Sequence, residues 1–356
     1  MNIKNYAKNF LLTKLTYVIN KCSKKNSWNP QKPKVLFIST TALGDSLWAT
    51  PAIRTFKNAY PESEVLCLTS NTGKQIFQGN PAISKIFIYE KRNFFSLWKN
   101  LLKEKVQIVF ILHASQRLSF CLPHLIKAEH VHTRGKNEKI NLKNLCSFVS
   151  YENESHEILA RLALFDPLNI PHITQMEYFL LKEEIDEAKK RLPKNQICIC
   201  IHPGSQDPFR AYLLHGYIAT AKLLKEKYDA CIILTGTKKE KPYIEKIQKE
   251  VEAISFTNLS IRQFIATLSL IDLIITNDTG AQHIGYAQKT PTIAIYCPTS
   301  SKRYGPLDIE NSAIVYKERP CKTCLKRDCK TSFCMLQISP DEIFKKAEIF
   351  LADKDS

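Results

Sequence analysis

The chain has 356 residues, enough for two ordinary domains, and 44% of them are apolar, the proportion of a globular protein. Its longest apolar runs, such as residues 106–112, fall far short of the ~20 residues a membrane helix needs, and no signal peptide opens the chain, so a cytoplasmic location is expected. The formal net charge of +17 points to an anionic partner, whether nucleic acid, a phospholipid surface or a phosphorylated substrate.

Residues 1–33 contain Lys4, Lys8, Lys14, Lys21, Lys24, Lys25 and Lys32 and no acid. Phe10, Leu11, Leu12, Leu15, Tyr17, Val18 and Ile19 lie between them. A helix here would be basic and amphipathic, suited to an anionic bilayer; a solvated tail has the same composition. From Lys34 the pattern alternates. Residues 34–39, 64–69, 83–89 and 106–112 read as short buried strands. Helices are predicted from Thr50 as N-cap, with Pro51 in the first turn, to about Ala59, and over 96–105. After a less regular stretch, helices are predicted over 152–164 and 182–192. A second series follows, with strands at 197–201, 230–234, 273–275 and 292–296. Its helices fall at 216–227, 241–252 and 261–269. The last helix, 340–351, has a capping box of Ser339 and Glu342. Strands alternating with helices predict an α/β protein of two parallel sheets. Ligands bind outside the carboxyl ends of such strands, so two sheets facing a cleft would direct attention to the turns there.

Three polar turns follow strands. In the first, STTALGD (39–45), Gly44 eases a bend and Asp45 opens a helix, where it either faces a ligand or only caps. In the second, IHPGS (201–205), Gly204 and Ser205 can offer amides and a hydroxyl to phosphate, and Arg210 a fixed charge, unless this is only a surface turn. The third is NDTGAQH (277–283). Thr279 and Gln282 are spaced as a capping box. The first-turn amides and Gly280 would then form an anion cradle at a helix N-terminus, with His283 as a further donor. Neither G-x-G-x-x-G nor G-x-x-x-x-G-K-[ST] occurs, which disfavours dehydrogenases and P-loop enzymes. H-E-x-x-H is missing too, and no D-x-D pair follows a strand, so no catalytic metal is expected. The lysines are dispersed and show no helix-turn-helix or RNA-recognition pattern, so nucleic acid is not the expected partner.

Taken in order, these turns resemble the heptosyltransferases of glycosyltransferase family 9. The matching pieces are TTALGDSLWATPAIRTFKNAYP (40–61), IHPGSQDPFRAY (201–212), LTGTKKE (234–240) and NDTGAQHIGYAQKTPTIAIYCPTSSKRYGP (277–306). The resemblance implies a fold of two Rossmann-like domains facing a cleft, the GT-B type. Residues 34–181 would form the acceptor domain and 182–338 the nucleotide-sugar domain. The terminal helix, within 339–356, would pack back on the N-terminal half. The resemblance makes Asp45 the general base. It gives Asp278, Thr279, Gly280 and His283, with Gly204, Ser205 and Arg210, to the diphosphate of an ADP-sugar donor. Glu240 would take the ribose hydroxyls. Arg210 stands where the family usually has Lys, and Tyr212 where Trp is common, which leaves donor identity open. The implied reaction is an inverting, metal-independent transfer of heptose from ADP-L-glycero-D-manno-heptose to Kdo-lipid A, at the inner face of the cytoplasmic membrane. Another nucleotide sugar or acceptor is the alternative. Arg117, Arg134, Lys136 and Lys139 are candidate acceptor contacts, although solvated charge reads the same.

Twelve cysteines are present. Those within apolar runs, such as Cys198 and Cys200, read as small buried hydrophobes. Cys321, Cys324, Cys329 and Cys334 are close enough to hold a structural Zn²⁺, with spacing unlike a standard zinc ribbon; free thiols or a cross-link are the alternatives.

Overall fold

The computed structural model describes residues 31–114, 117–134, 147–149, 155–205, 207, 210–297, 299–307, 309–318 and 333–352. The chain divides into two compact units, Met1–Phe179 and Leu180–Ser356.

In the first unit the strands are β1 (Lys34–Ser39), β2 (Glu64–Thr69), β3 (Lys85–Ile88), β4 (Ile108–His113), β5 (His130–Arg134) and β6 (Ser147–Val149). They form one sheet in the order β3-β2-β1-β4-β5-β6, every pair parallel. The period of two sends successive side chains of β1 to opposite faces. Leu36 and Ile38 join Leu66, Leu68, Val109 and Ile111 under Leu97 and Leu101 of the Phe94–Lys103 helix. Phe37 goes the other way and stacks on Phe110 at 5.4 Å, edge-on to Phe56 and Phe165. Each such buried ring contributes about 2–3 kcal/mol of transfer free energy. Thr50 and Pro51 do start a helix, but the N-cap is Ala49. Thr50 is already helical, and its hydroxyl donates to the Leu47 carbonyl.

The second unit repeats the plan with β7 (Cys198–His202), β8 (Cys231–Thr235), β9 (Ala253–Phe256), β10 (Leu273–Asn277), β11 (Thr292–Tyr296) and β12 (Ser312–Tyr316). Its order is β12-β11-β10-β7-β8-β9, again all parallel. Ile199, Ile201, Leu273 and Ile275 pack with Tyr217, Ala221 and Leu224 of the Leu214–Tyr228 helix. Ile343, Ala347 and Leu351 of the Pro340–Leu351 helix belong to the same core. The terminal helix therefore packs its apolar face within the second unit, against the Leu214–Tyr228 helix and β10 to β12. Ser339 caps it through the Glu342 amide, while the Glu342 carboxylate pairs with Lys317 at 2.9 Å instead of closing the box. Cys198 and Cys200 are buried as expected, and burial pushes the Cys200 thiol up to about 12.

Each sheet is doubly wound. The strand order reverses beside its first strand, β1 between β2 and β4, and β7 between β8 and β10. Such a reversal opens a crevice at the carboxyl ends of the strands, and all three polar turns leave strands there.

Candidate active site

At the first switch point the chain leaves β1 and enters the short Leu43–Leu47 helix, and the Thr40 amide donates to the His113 carbonyl at the end of β4. Gly44 lies within this helix, and its φ is not positive, so the expected bend is absent. Asp45 occupies the first turn. Its Oδ1 accepts from Arg161 Nη2 at 3.1 Å, and among the described residues its Oδ2 has only a long contact, 3.4 Å, from the Ala42 amide. Arg161 is fully buried on the Glu157–Leu162 helix. Its Nη1 donates to the Glu157 carboxylate at 2.6 Å and to the Glu157 carbonyl at 2.8 Å, and its guanidinium lies 5.3 Å over the Trp48 ring. His113 Nδ1 stands 3.7 Å from Asp45 Oδ1 and is hydrogen-bonded to Thr41 Oγ1 at 2.8 Å. Asp45 is thus a carboxylate held in place by one oxygen, with 17% of its side chain accessible. The sequence does not single out Arg161, Glu157 or His113, because their relation to Asp45 exists only after folding.

The second switch point is organised by Asn277, which is fully buried. Its Oδ1 accepts from the Tyr212 amide at 2.8 Å and the Tyr217 hydroxyl at 2.9 Å. Its Nδ2 donates to the carbonyls of Pro203 and Gly204. One amide side chain therefore ties together the turn after β7, the segment beyond Arg210 and the end of β10. Asp278 is equally committed. Its Oδ1 accepts from Gln282 Nε2 at 2.7 Å, and its Oδ2 from Arg210 Nη2 and Thr299 Oγ1, both at 2.5 Å. Arg210 Nη2 also donates to the Asp278 carbonyl at 2.8 Å. A carboxylate so engaged fixes Arg210, and its charge is of the same sign as a diphosphate's.

Thr279 caps the Gly280–Gln288 helix by accepting from the Ala281 amide at 3.3 Å. The predicted capping box does not form. Gln282 is drawn inward, between Asp278 and the hydroxyls of Tyr286 and Tyr296. The remaining first-turn amides keep the donor capacity and positive dipole end of any helix start. His283 is buried, 3.3 Å from Gln282 through its Nε2. Beside this helix start, Ser205 Oγ and Arg210 Nε are buried with no hydrogen-bond partner among the described residues. Two donors left so, next to a helix N-terminus, make a site for an anion.

Glu240 sits at the end of β8's turn, where its Oε2 accepts from the Thr237 amide at 2.6 Å. A Cβ on Gly204 would come within 1.9 Å of Glu240 Oε1, so glycine at 204 is what lets this carboxylate reach the turn after β7. Tyr212 is a core residue: its ring meets Tyr217 edge-on and its hydroxyl donates to the Ile338 carbonyl. His202, at the end of β7, bonds Thr235 Oγ1 through Nδ1 at 3.0 Å, and burial pushes its imidazole down.

The family model for glycosyltransferase family 9 (heptosyltransferase) matches residues 94–334, well over half of the chain. The chain belongs to that family. This glycosyltransferase is 26% identical to lipooligosaccharide heptosyltransferase 2 of Campylobacter jejuni over 89% of its own length and 98% of the relative's. Among solved structures it resembles a family 9 glycosyltransferase from Veillonella parvula, with a TM-score of 0.79 at 19% identity, covering 92% of this chain and 100% of that one. It also resembles the E. coli ADP-heptose LPS heptosyltransferase II, at 0.75 and 15%, covering 91% and 100%. These likenesses show the fold, two doubly wound α/β units of the GT-B type.

The residues that the sequence offered for a donor, Gly204, Ser205, Arg210, Glu240, Asp278, Thr279, Gly280 and His283, all belong to the second unit, on turns at the carboxyl ends of β7, β8 and β10 and the start of the following helix; Asp45 belongs to the first unit. Arg117 begins the Arg117–Leu125 helix and Arg134 ends β5, while their side chains, with Lys136 and Lys139, lie outside the described residues. Cys321, Cys324 and Cys329 lie outside them as well. Cys334 is buried in the second unit's apolar core.

Proposed function

We propose that this glycosyltransferase moves heptose from ADP-L-glycero-D-manno-heptose to the Kdo-lipid A inner core of lipopolysaccharide, with inversion and without a catalytic metal, at the inner face of the cytoplasmic membrane. Asp45 Oδ2 takes the proton of the acceptor hydroxyl as its oxygen attacks the anomeric carbon. The bond from that carbon to the diphosphate breaks, and the negative charge that develops on ADP is met by Arg210, Ser205, Thr279 and the amides at the start of the Gly280–Gln288 helix. Glu240 accepts from the ribose hydroxyls. Asp278 and Asn277 hold these donors in place, and His283 backs the helix's first turn.

The observation that carries this reading is the pair of buried, unpartnered donors, Ser205 Oγ and Arg210 Nε, beside a helix N-terminus in a family 9 chain. The names of its relatives add support for the sugar and the acceptor: one is a lipooligosaccharide heptosyltransferase, and another is named for both ADP-heptose and lipopolysaccharide. The departures at Arg210 and Tyr212 favour one second reading, a different nucleotide sugar on the same fold. Incubation of the enzyme and Kdo-lipid A with ADP-heptose, UDP-sugars and GDP-sugars in parallel separates the two. Product from ADP-heptose alone is expected; product from a UDP- or GDP-sugar alone would replace the first reading with the second.

A further inference from the structure

The Phe94–Lys103 helix of the first unit has two faces of different chemistry. Phe94, Leu97, Trp98 and Leu101 pack into the core under the sheet, and Trp98 Nε1 donates to the Leu125 carbonyl at 3.1 Å. Opposite them Phe95 stands 73% exposed. Lys99 and Lys103 follow it at the four-residue spacing of one helix face, and Lys91 and Arg92 precede it in the turn Lys91–Asn93, all exposed. Of the neighbouring acids, Glu104 pairs with Lys34 and Lys85, while Glu90 accepts from Asn71 and Asn93 and remains one exposed carboxylate beside four cations. Exposure of an apolar side chain is not itself the signal. Ile349 is 67% exposed too, on a helix whose outward charges, Glu342, Lys345, Lys346 and Glu348, are of both signs. Around Phe95, by contrast, a bare aromatic ring meets a run of cations.

We infer that this outward face of the Phe94–Lys103 helix docks on the anionic surface of a lipid bilayer. An aromatic ring enters the headgroup boundary while lysines and arginine meet the lipid phosphates, the pairing that holds an interfacial helix without spanning anything. The parallel sheet sets the orientation. β3 runs toward the same edge as β1, so Phe95, in the first turn of the helix that follows β3, lies at the edge that carries Asp45. Docking by this face brings that edge toward the membrane, and the use of doing so rests on the proposed lipid-borne acceptor.

The test is sedimentation of the full chain with vesicles of phosphatidylcholine alone and of phosphatidylcholine mixed with phosphatidylglycerol. Binding is expected to the mixed vesicles only, and to weaken as salt is raised. Lys99→Ser with Lys103→Ser should weaken it roughly thirtyfold and Phe95→Ser roughly tenfold, each with an unchanged melting temperature. Ile349→Ser should bind as the parent does. Equal binding to both kinds of vesicle, or binding that survives in both helix variants and is carried by the lysines of residues 1–33, would overturn the proposal. Because vesicle binding is read without donor or acceptor, a chain that docks but transfers no heptose would sink the functional reading and leave this one standing.

Discussion

Asp45 and Asp278 occupy comparable places. Asp45 follows β1 and Asp278 follows β10, in each case one of the two central strands that flank the switch point of its sheet, at the edge where ligands bind. Their surroundings differ. Asp278 has 8% of its side chain accessible and both oxygens engaged, by Gln282 on one side and by Arg210 and Thr299 on the other. Asp45 has one oxygen anchored by a buried arginine and the other nearly bare. The same residue type serves as a brace where its lone pairs are filled and is proposed as the reactive group where one oxygen is left open. Satisfaction, not position in the fold, distinguishes them.

The sharpest way to break this comparison is to remove each carboxylate. Asp45→Ala should lower the turnover number by about a thousandfold, within the range for a lost general base, while ADP binding measured by calorimetry stays as it was. A parallel loss of both would make Asp45 a brace like Asp278. Asp278→Ala should do the opposite. It takes the nearer of two carboxylates from the Arg210 guanidinium, leaving Asp207 at 3.6 Å, in a largely buried setting, and should destabilise the fold by about 3 kcal/mol, with ADP affinity falling in step. An unchanged denaturation midpoint would show that the pair is not a brace.

The two regions also share a feature that acid should expose. Each sheet keeps an imidazole neutral: His202 beside β8, and His132 on β5, stacked on Phe110 at 5.0 Å. Burial, with the neighbouring His130, pushes His132 down from 6.5 to about 4. The folded state disfavours the cation, so as pH falls below 6.5 the unfolded chain takes up this proton first. The stability His132 contributes is therefore whole above 6.5 and is lost as pH drops toward 4, on the order of 2–3 kcal/mol. Urea titrations across that window should show His132→Gln less sensitive to acid than the parent; matching slopes would remove His132 from the account.

The anchoring of Asp45 can be tested apart from Asp45 itself. Arg161→Met alone would strand Glu157, so Glu157→Gln accompanies it. The double variant should lose roughly thirtyfold in kcat with little change in the KM for donor, the sign of a misplaced base. A change confined to KM would place Arg161 outside the chemistry.

What was legible in the sequence follows from which forces are local. The strands that are buried on both faces read as apolar runs, and β1, β2 and β11 lie where the pattern set them. The edges did not read so well. β9 and β12 are short and half-exposed, and β5, His-Val-His-Thr-Arg, looks like a loop until His132 stacks on Phe110. The three turns were legible because glycine, hydroxyl and carboxylate follow apolar runs directly. Their fastenings were not. Arg161 is 116 positions from Asp45, and Asn277 reaches Tyr212 across 65. Polar contacts over such distances carry no period, so Gln282 read as half of a capping box when its amide is in fact turned into the core.

The smallest effect sharpens the comparison most, because it separates charge from shape. Arg210 stands where the resemblance read in the sequence leads one to expect lysine, and it keeps the positive charge. Here, though, the guanidinium does two things: Nη2 is fastened to Asp278 through both its carboxylate and its carbonyl, while Nε, with no hydrogen-bond partner among the described residues, is the nitrogen proposed to meet the ligand. A lysine has one nitrogen and must choose between them. Arg210→Lys should therefore retain the fold, because the ion pair with Asp278 survives, yet raise the KM for donor about tenfold with kcat little altered. If KM were unchanged, charge alone would explain the position, and the brace formed by Asp278 would serve the loop without serving the ligand. If instead the melting temperature fell as far as in Asp278→Ala, the second hydrogen bond to the carbonyl would prove to be the part of the brace that matters.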